Sequence, residues 1–185
     1  IGTIAQNYGV LFCADISQSA GCIPVEGGKW QADILIFTGH KSLLGIQGTG
    51  GHYVRKGIAL KPLLYGGTGR DSRQLVYPAG DYEYHVGTQN VPGFAALKAG
   101  VEYLTGRTVE SVFQEEQRLL GLLYDAFAEM PHVTVYGTKE TNHGPVLSFN
   151  VKGLEPADTA YILQGYGIVV RTGLHCTPLI HSYIG

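Results

Sequence analysis

Two short apolar runs, each ending in polar residues, most constrain what this chain can fold into. One run, Val10–Ala14, leads into Asp15, and the other, Ile34–Phe37, leads into Thr38. Each run predicts a buried strand, and two such strands joined by a short crossing are typical of neighbours in a mostly parallel sheet. In open α/β sheets, ligands bind beyond the carboxyl ends of the strands. We therefore expect a binding site where these two runs end.

The residues that follow the two runs offer complementary chemical groups. Asp15 and Gln18 supply a carboxylate and an amide, whereas Thr38, His40 and Lys41 supply a hydroxyl, an imidazole and an amine. This set suits a cofactor with a basic ring nitrogen, a phosphate and an aldehyde, as in a pyridoxal phosphate site with a Schiff-base lysine. Simpler interpretations remain open on these residues alone: Lys41 as a surface charge, Asp15 as a turn former, Thr38 as a cap and His40 as a packed side chain.

Composition and charge exclude several classes of partner. The net charge of -2 argues against binding to nucleic acid or to an anionic membrane surface. Charged residues make up 15% of the chain, against about 25% in average proteins. Together with the 27 glycines, this favours much buried surface, loops that approach ligands closely, and a subunit interface. No apolar run approaches the roughly 18 residues of a membrane span.

The three cysteines predict a reducing, cytoplasmic setting, because they are odd in number and scattered, and they show no metal-ligand spacing. Cys13 lies inside an apolar run and is predicted to be a core residue, while Cys22 has no obvious chemical neighbours. Cys176 is open to two interpretations. It is either an inert small core residue or a reactive thiolate, since Arg171 and His175 accompany it in a glycine-containing loop.

The remaining periodicity predicts two parts. Residues 1–107 form part of an α/β domain, and residues 108–185 form a linker helix and part of an α+β domain. Because the chain starts within a predicted helix and without Met, we expect it to be a piece of a longer protein. The predicted helices are Ile1–Tyr8, Pro92–Leu104, Thr108–Met130 and one that starts at Pro156. The predicted further strands are His52–Val54, Val133–Tyr136, Val146–Val151 and Ile168–Val170.

Four segments occur in the order seen in the cysteine desulfurases: Asp15–Gly21, Thr38–Gly45, Gly87–Asn90 and Arg171–Cys176. The chain therefore resembles this family of class V aminotransferase-like enzymes, which use pyridoxal 5'-phosphate. Its Arg-x-Gly-x-His-Cys segment resembles the second group, which also contains selenocysteine lyases. The resemblance implies part of a fold-type I large domain, with a mostly parallel sheet and flanking helices, and part of an α+β carboxyl-terminal small domain.

The resemblance also implies roles for residues at the strand ends. Lys41 resembles the lysine that bonds to the cofactor and moves the α proton of the substrate. Asp15 resembles the partner of the pyridinium nitrogen, and Gln18 resembles the hydrogen-bond partner of the phenolic oxygen. Thr38 and His40 resemble phosphate ligands, and His40 is a candidate catalytic residue as well.

Further implied roles lie later in the chain. Thr88 resembles the residue that reaches the phosphate in the neighbouring subunit, which implies a homodimer with shared sites. Cys176 resembles the thiolate that takes the sulfur of L-cysteine as a persulfide and leaves L-alanine, and a sulfur-acceptor protein, as in iron–sulfur cluster assembly, would follow. Arg171 resembles the first residue of the cysteine loop, near the substrate. Thr177 departs from the family pattern, in which alanine is frequent at this position.

Alternatives follow from the same resemblance. The parent protein could be a selenocysteine lyase or another class V aminotransferase, or this chain could be a non-catalytic fragment that dimerises or docks a sulfur-transfer partner. Family members are considerably longer than this chain. Their other regions supply a residue that stacks on the cofactor ring and an arginine that binds the substrate carboxylate. We therefore expect the chain to be inactive by itself.

Overall fold

The computed structural model describes residues 1–67, 71, 73, 75–76, 84–140 and 144–184. It divides into two compact units, Ile1–Gln114 and Glu115–Gly185, and each unit is described by itself. The sequence also predicts two irregular stretches, the glycine-rich loop 66–70 and the tyrosine-rich segment 75–86. Both lie partly outside the described residues.

The first unit contains a three-stranded sheet in the order β1–β2–β3. Its elements are α1 (Gly2–Asn7), β1 (Cys13–Asp15), β2 (Ile34–Thr38), β3 (Gly50–Val54), α2 (Val91–Arg107) and the start of α3 (Val109–Ala128). Strands β1 and β2 are parallel neighbours, as predicted, with Asp15 opposite Ile36. Strand β3 pairs with β2 in the antiparallel direction, so the described sheet is mixed.

The first predicted strand is shorter and less buried than its sequence indicates. Val10 and Leu11 precede β1 instead of belonging to it, and their side chains are 57% and 58% exposed. In β2, Ile36 is also exposed. The ladder with β2 begins at Cys13. Before it, the Phe12 carbonyl accepts hydrogen bonds from the N–H groups of Asp33 and Ile34, whereas Val10 and Leu11 have no strand partner among the described residues. The prediction that both strands are buried is therefore wrong for the described residues.

A buried carboxylate joins the three strands. Asp33, which is 3% exposed, directly precedes β2. Its carboxylate accepts hydrogen bonds from the backbone N–H of Phe12, before β1, at 2.7 Å and from Nε of Arg55, after β3, at 2.7 Å. The Phe12 N–H and, after it, the Arg55 guanidinium hold the pKa of Asp33 below its usual value. Sequence periodicity does not reveal this network, because Asp33 resembles an ordinary polar residue before a strand.

Replacing Asp33 with Asn is expected to lower the melting temperature at neutral pH, because the charge-assisted bonds to Phe12 and Arg55 are weakened. The pKa of Asp33 is lower in the folded state than in the unfolded state. Ionised Asp33 therefore contributes fully to the free energy of unfolding above its unfolded pKa of about 4. This contribution is lost as the pH falls through the lower folded pKa.

Thermal unfolding of wild type and Asp33→Asn at neutral pH and at pH values below about 4 measures this dependence. The difference in melting temperature should shrink in acid. Asp71→Asn is a matched control, because its side chain lies half-exposed in a surface ion pair with Arg73. Equal melting temperatures at neutral pH for wild type and Asp33→Asn would contradict the prediction.

Helix α2 is fixed to the loop before β3 through its amino-terminal end. The Asn90 side chain accepts a hydrogen bond from the Gly93 N–H at 3.1 Å, as an N-cap does, and donates one to the Gly48 carbonyl at 3.2 Å. Further along the helix, Gly100 lies so close to the Leu43 carbonyl that an added Cβ would be 2.2 Å from its oxygen. The helix backbone therefore packs directly against the turn that contains the predicted site.

The second unit combines the rest of α3 with an antiparallel pair of strands. Its further elements are β4 (Val133–Tyr136), β5 (Ser148–Val151), α4 (Pro156–Gly165) and α5 (Pro178–Ile184). Phe127 of α3 packs against Phe149 of β5, with ring centroids 4.9 Å apart. In the described part of the chain, no helix combines the length and the apolar character that crossing a membrane requires.

Three sequence predictions in this unit need correction. Helix α3 ends at Ala128, two residues early, because Met130 precedes a proline and is disfavoured in helical conformation. Strand β5 begins at Ser148 and not at Val146. The segment Ile168–Val170 is not a strand, and Val169 is 88% exposed. Its β-branched residues favour a strand, but a strand also needs backbone partners, which no described strand supplies there.

Candidate active site

The carboxyl ends of β1 and β2 bring four of the predicted residues to one edge of the sheet. Asp15 is the last residue of β1, and Thr38 is the last residue of β2. His40 and Lys41 follow in the turn after β2, and both side chains are exposed. The Lys41 charge acts on the Asp15 carboxylate, so the two groups lie within electrostatic range of each other.

Asp15 is held as an ionised carboxylate. Its Oδ1 accepts a hydrogen bond from the Ser17 N–H at 2.8 Å. The Ser17 hydroxyl and then its N–H hold the pKa of Asp15 below its usual value, and the Lys41 charge acts in the same direction. No role was predicted for Ser17, although an Asp side chain commonly accepts a hydrogen bond from the backbone N–H two residues later.

Thr38 and His40 lie against each other. Thr38 Oγ1 and His40 Nδ1 are 2.8 Å apart and share a hydrogen bond. The same hydroxyl is 3.5 Å from the carbonyl oxygen of Thr49. The half-buried hydroxyl and the exposed imidazole therefore belong to one polar cluster at the end of β2.

Lys41 is carried by a tight turn. The Leu44 N–H donates to the Lys41 carbonyl at 2.8 Å, and the Gly45 N–H donates to the Gly39 carbonyl at 2.8 Å. Leu44 has a positive φ of 63°, which is uncommon for a residue with a side chain. At Gly39 an added Cβ would be 2.3 Å from Thr49 Oγ1, so only glycine fits there. The turn thus has a fixed shape at both of its ends.

The two remaining predicted residues of the first unit are exposed. The backbone carbonyl of Gln18 accepts a hydrogen bond from the Cys22 thiol at 3.2 Å, and the residue is exposed. Thr88 lies in the loop before Asn90, the residue that caps α2.

The cysteine loop belongs to the second unit. The Cys176 thiol is exposed, and Nη2 of Arg171 lies 3.8 Å from its sulfur. The positive charge of the guanidinium therefore lies next to the thiol. His175 and Cys176 have φ values of 51° and 64°, a left-handed conformation that costs about 1–2 kcal/mol per residue.

The other two cysteines lie in the first unit. Cys13, which sequence analysis placed in the core, is exposed in β1, because the described part of the chain leaves its side of the strand uncovered. Cys22 is fully buried, and its thiol donates to the carbonyls of Gln18 and Ser19. Within the described ranges, no cluster of three His, Cys, Asp or Glu side chains could hold a metal ion.

A family model supplies the identification. The model described as "Aminotransferase class-V" matches residues 1–185. The chain belongs to the class-V aminotransferase family. The sequence-based assignment to this superfamily is confirmed.

Curated relatives in this family carry a more specific name. A probable cysteine desulfurase from Pyrococcus abyssi is 32% identical over 182 residues, which are 95% of this chain and 45% of the relative. A cysteine desulfurase from Haloferax volcanii is 29% identical over 192 residues, which are 100% of this chain and 44% of the relative. The chain therefore spans about 45% of the length of the curated relatives it matches.

Solved structures of family members have the same fold. The apo cysteine desulfurase from Thermococcus onnurineus NA1 is 34% identical, with a TM-score of 0.86 over 95% of this chain and 45% of that protein. The cysteine desulfurase CsdA from Escherichia coli is 26% identical, with a TM-score of 0.82 over 94% of this chain and 44% of that protein. The predicted fold class, part of a fold-type I α/β enzyme, is confirmed.

Ser17 is expected to control the ionisation of Asp15 in this family member. Replacing Ser17 with Ala removes the hydroxyl, so the pKa of Asp15 should rise towards its usual value while the backbone N–H contact remains. An NMR titration of the Asp15 carboxyl carbon measures the change. Ser19→Ala is the matched control, and an Asp15 pKa that does not change in Ser17→Ala would contradict the assignment.

Proposed function

We propose that the protein containing this chain is a pyridoxal phosphate-dependent cysteine desulfurase. It converts L-cysteine to L-alanine and transfers the sulfur to Cys176 as a persulfide. Family membership over the whole chain and the names of the curated relatives support this proposal. The observation that carries it is Cys176 itself, an exposed thiol with the Arg171 guanidinium 3.8 Å from its sulfur.

The residues at the sheet edge fit the cofactor chemically. The Asp15 carboxylate, held ionised by Ser17, would pair with a protonated ring nitrogen. Thr38 and His40, which already share a hydrogen bond, would hold the phosphate, and Lys41 would bond to the aldehyde carbon. When bound, pyridoxal phosphate supplies an electron sink that weakens the bonds at the substrate α carbon.

The side chains of this chain would perform the remaining tasks. The Nζ atom of Lys41 would remove the proton from the substrate α carbon, and the nearby Asp15 charge would keep the ring nitrogen protonated. Gln18, whose side chain is exposed at the same strand end, would donate to the phenolic oxygen. His40 would also act as a catalytic group next to Lys41.

Cys176 would complete the reaction. Its thiolate attacks the sulfur of the substrate, a sulfur–sulfur bond forms, and the bond between that sulfur and the substrate β carbon breaks. The electron pair of the broken bond stays with carbon, which takes up protons to give alanine. Cysteine and one thiol thus become alanine and one persulfide, with no external oxidant or reductant. Arg171 would lie beside the attacking sulfur.

Several broader proposals accompany this function. We propose that residues 1–107 are part of the cofactor-binding domain and that residues 108–185 are the linker helix and part of the small domain. Thr88 would reach the phosphate of a second subunit in a homodimer. A sulfur-acceptor protein would receive the persulfide sulfur for iron–sulfur cluster assembly. The enzyme would be cytoplasmic. Activity would also need the part of the relatives' length that this chain does not span.

The role of Cys176 is tested by its replacement with Ala in the full-length protein. Alanine release from L-cysteine and formation of protein persulfide should both fall at least about 100-fold, because no other group replaces the nucleophile. Cys13→Ala is the matched control, since this thiol is also exposed but lies in β1. Desulfurase activity that survives Cys176→Ala would reject the proposed role.

The role of Lys41 is tested by borohydride reduction after addition of pyridoxal phosphate. Wild-type protein should retain the cofactor on the peptide that contains Lys41, as measured by mass spectrometry, and Lys41→Ala should retain none at this position. Lys56→Ala is the matched control, because Lys56 is an exposed lysine in the turn after β3. Equal retention of the reduced cofactor by Lys41→Ala and wild type would contradict the assignment.

A further inference from the structure

The proposed nucleophile is the second central residue of a tight turn. The Thr177 N–H donates to the Leu174 carbonyl at 2.9 Å, which closes a four-residue turn around His175 and Cys176. Both central residues have positive φ values, 51° and 64°, which is the φ pattern of a type I′ turn. Gly, Asn and Asp dominate these positions, because a side chain is disfavoured there. An imidazole and a thiol are therefore held in a conformation that they do not favour.

Thr177 offsets the conformational cost of the turn with two hydrogen-bond donors, its backbone N–H and its hydroxyl. Its Oγ1 also donates to the Leu174 carbonyl, at 3.2 Å, so that one oxygen accepts both the backbone and the side-chain hydrogen bond. The residue after it is Pro178, which restricts the Thr177 backbone to extended conformations. The alanine that is frequent in the family at this position would supply the backbone donor alone.

A second contact fixes the first central residue of the turn. The rings of His175 and His181 stack with centroids 6.2 Å apart and an angle of 21° between their planes. His181 lies in α5, so this pair attaches the turn to the helix that follows it. The turn is thereby held at His175 and at Thr177 by groups within the same unit.

We propose that Thr177 is a positioning residue that keeps the Cys176 sulfur beside the Arg171 guanidinium. This inference rests on the proposed function, because it assigns Thr177 to the nucleophile of that reaction. The 3.8 Å contact exists only while the turn keeps its left-handed conformation, since rotation of the Cys176 backbone moves the sulfur. Loss of the Thr177 hydroxyl bond lets the turn relax, and the thiolate then loses the neighbouring positive charge.

Two exposed variants separate the hydroxyl from the shape of the side chain. Thr177→Val keeps the branched shape and removes the donor, whereas Thr177→Ser keeps the donor. Because Thr177 is exposed, neither variant alters the core. Alkylation by iodoacetamide is followed in the full-length protein at pH values from about 6 to 10, a range that brackets ordinary thiol ionisation. Mass spectrometry quantifies the Cys176 and Cys13 peptides separately.

Thr177→Val should alkylate Cys176 about 3-fold to 10-fold more slowly near neutral pH, as expected for the loss of one hydrogen bond. Thr177→Ser should restore the wild-type profile, and Cys13 should react equally in all three proteins. A Val variant with wild-type rates would overturn the inference, as would a Ser variant as slow as Val.

The same measurement distinguishes this inference from the proposed function. A full-length wild-type protein that releases no alanine from L-cysteine rejects the function, and desulfurase activity that survives Cys176→Ala rejects the role of Cys176, whatever the alkylation rates show. A Val variant with unchanged alkylation rejects the role of Thr177 and leaves the role of Cys176 intact. A slower alkylation that Ser restores, together with a matching decrease in kcat for alanine release and an unchanged KM, supports both.

Discussion

The site at the sheet edge depends on one buried carboxylate at the opposite end of the strands. Asp33 accepts hydrogen bonds from the segment before β1 and from the residue after β3, while its own backbone leads into β2. It thereby fixes the register in which Asp15 lies opposite Ile36, two residues before the end of β2 at Thr38. A shift of one residue between β1 and β2 would turn the Asp15 carboxylate to the other face of the sheet. The positions of the polar groups at the site are therefore set by the Asp33–Arg55 ion pair at the opposite ends of the strands.

Most elements of the first unit can be predicted from the sequence, because they depend on local sequence patterns. An apolar run that ends in Asp15, and another that ends in Thr38, predict strand ends directly, and the parallel pairing follows from the short crossing between them. The helices α2 and α3 were likewise predicted from their apolar spacing, with errors only at their ends. The assignment of Lys41 and Cys176 as reactive groups came from ordered motifs, and these roles stay predictions.

The features that sequence reasoning missed depend on contacts between distant residues. Nothing near Asp33 in the sequence indicates that Arg55, 22 positions later, binds its carboxylate. The run Ile168–Val170 has strand composition but no strand partner, and composition alone cannot supply one. His175 and Cys176 are not residue types that favour the left-handed conformation, so only the three-dimensional structure reveals this turn. Functional sites are where local preference and observed conformation are expected to disagree.

The exposed apolar residues around the first strand have a practical consequence for work with this chain. Val10 and Leu11 leave more than half of their surface in solvent, and the outer strands β1 and β3 each have a single ladder partner among the described residues. Open strand edges beside apolar side chains are templates for pairing with other copies of a chain. Produced as a separate polypeptide, these 185 residues would self-associate as their concentration rises, and a solubilising fusion would be needed to keep them dispersed.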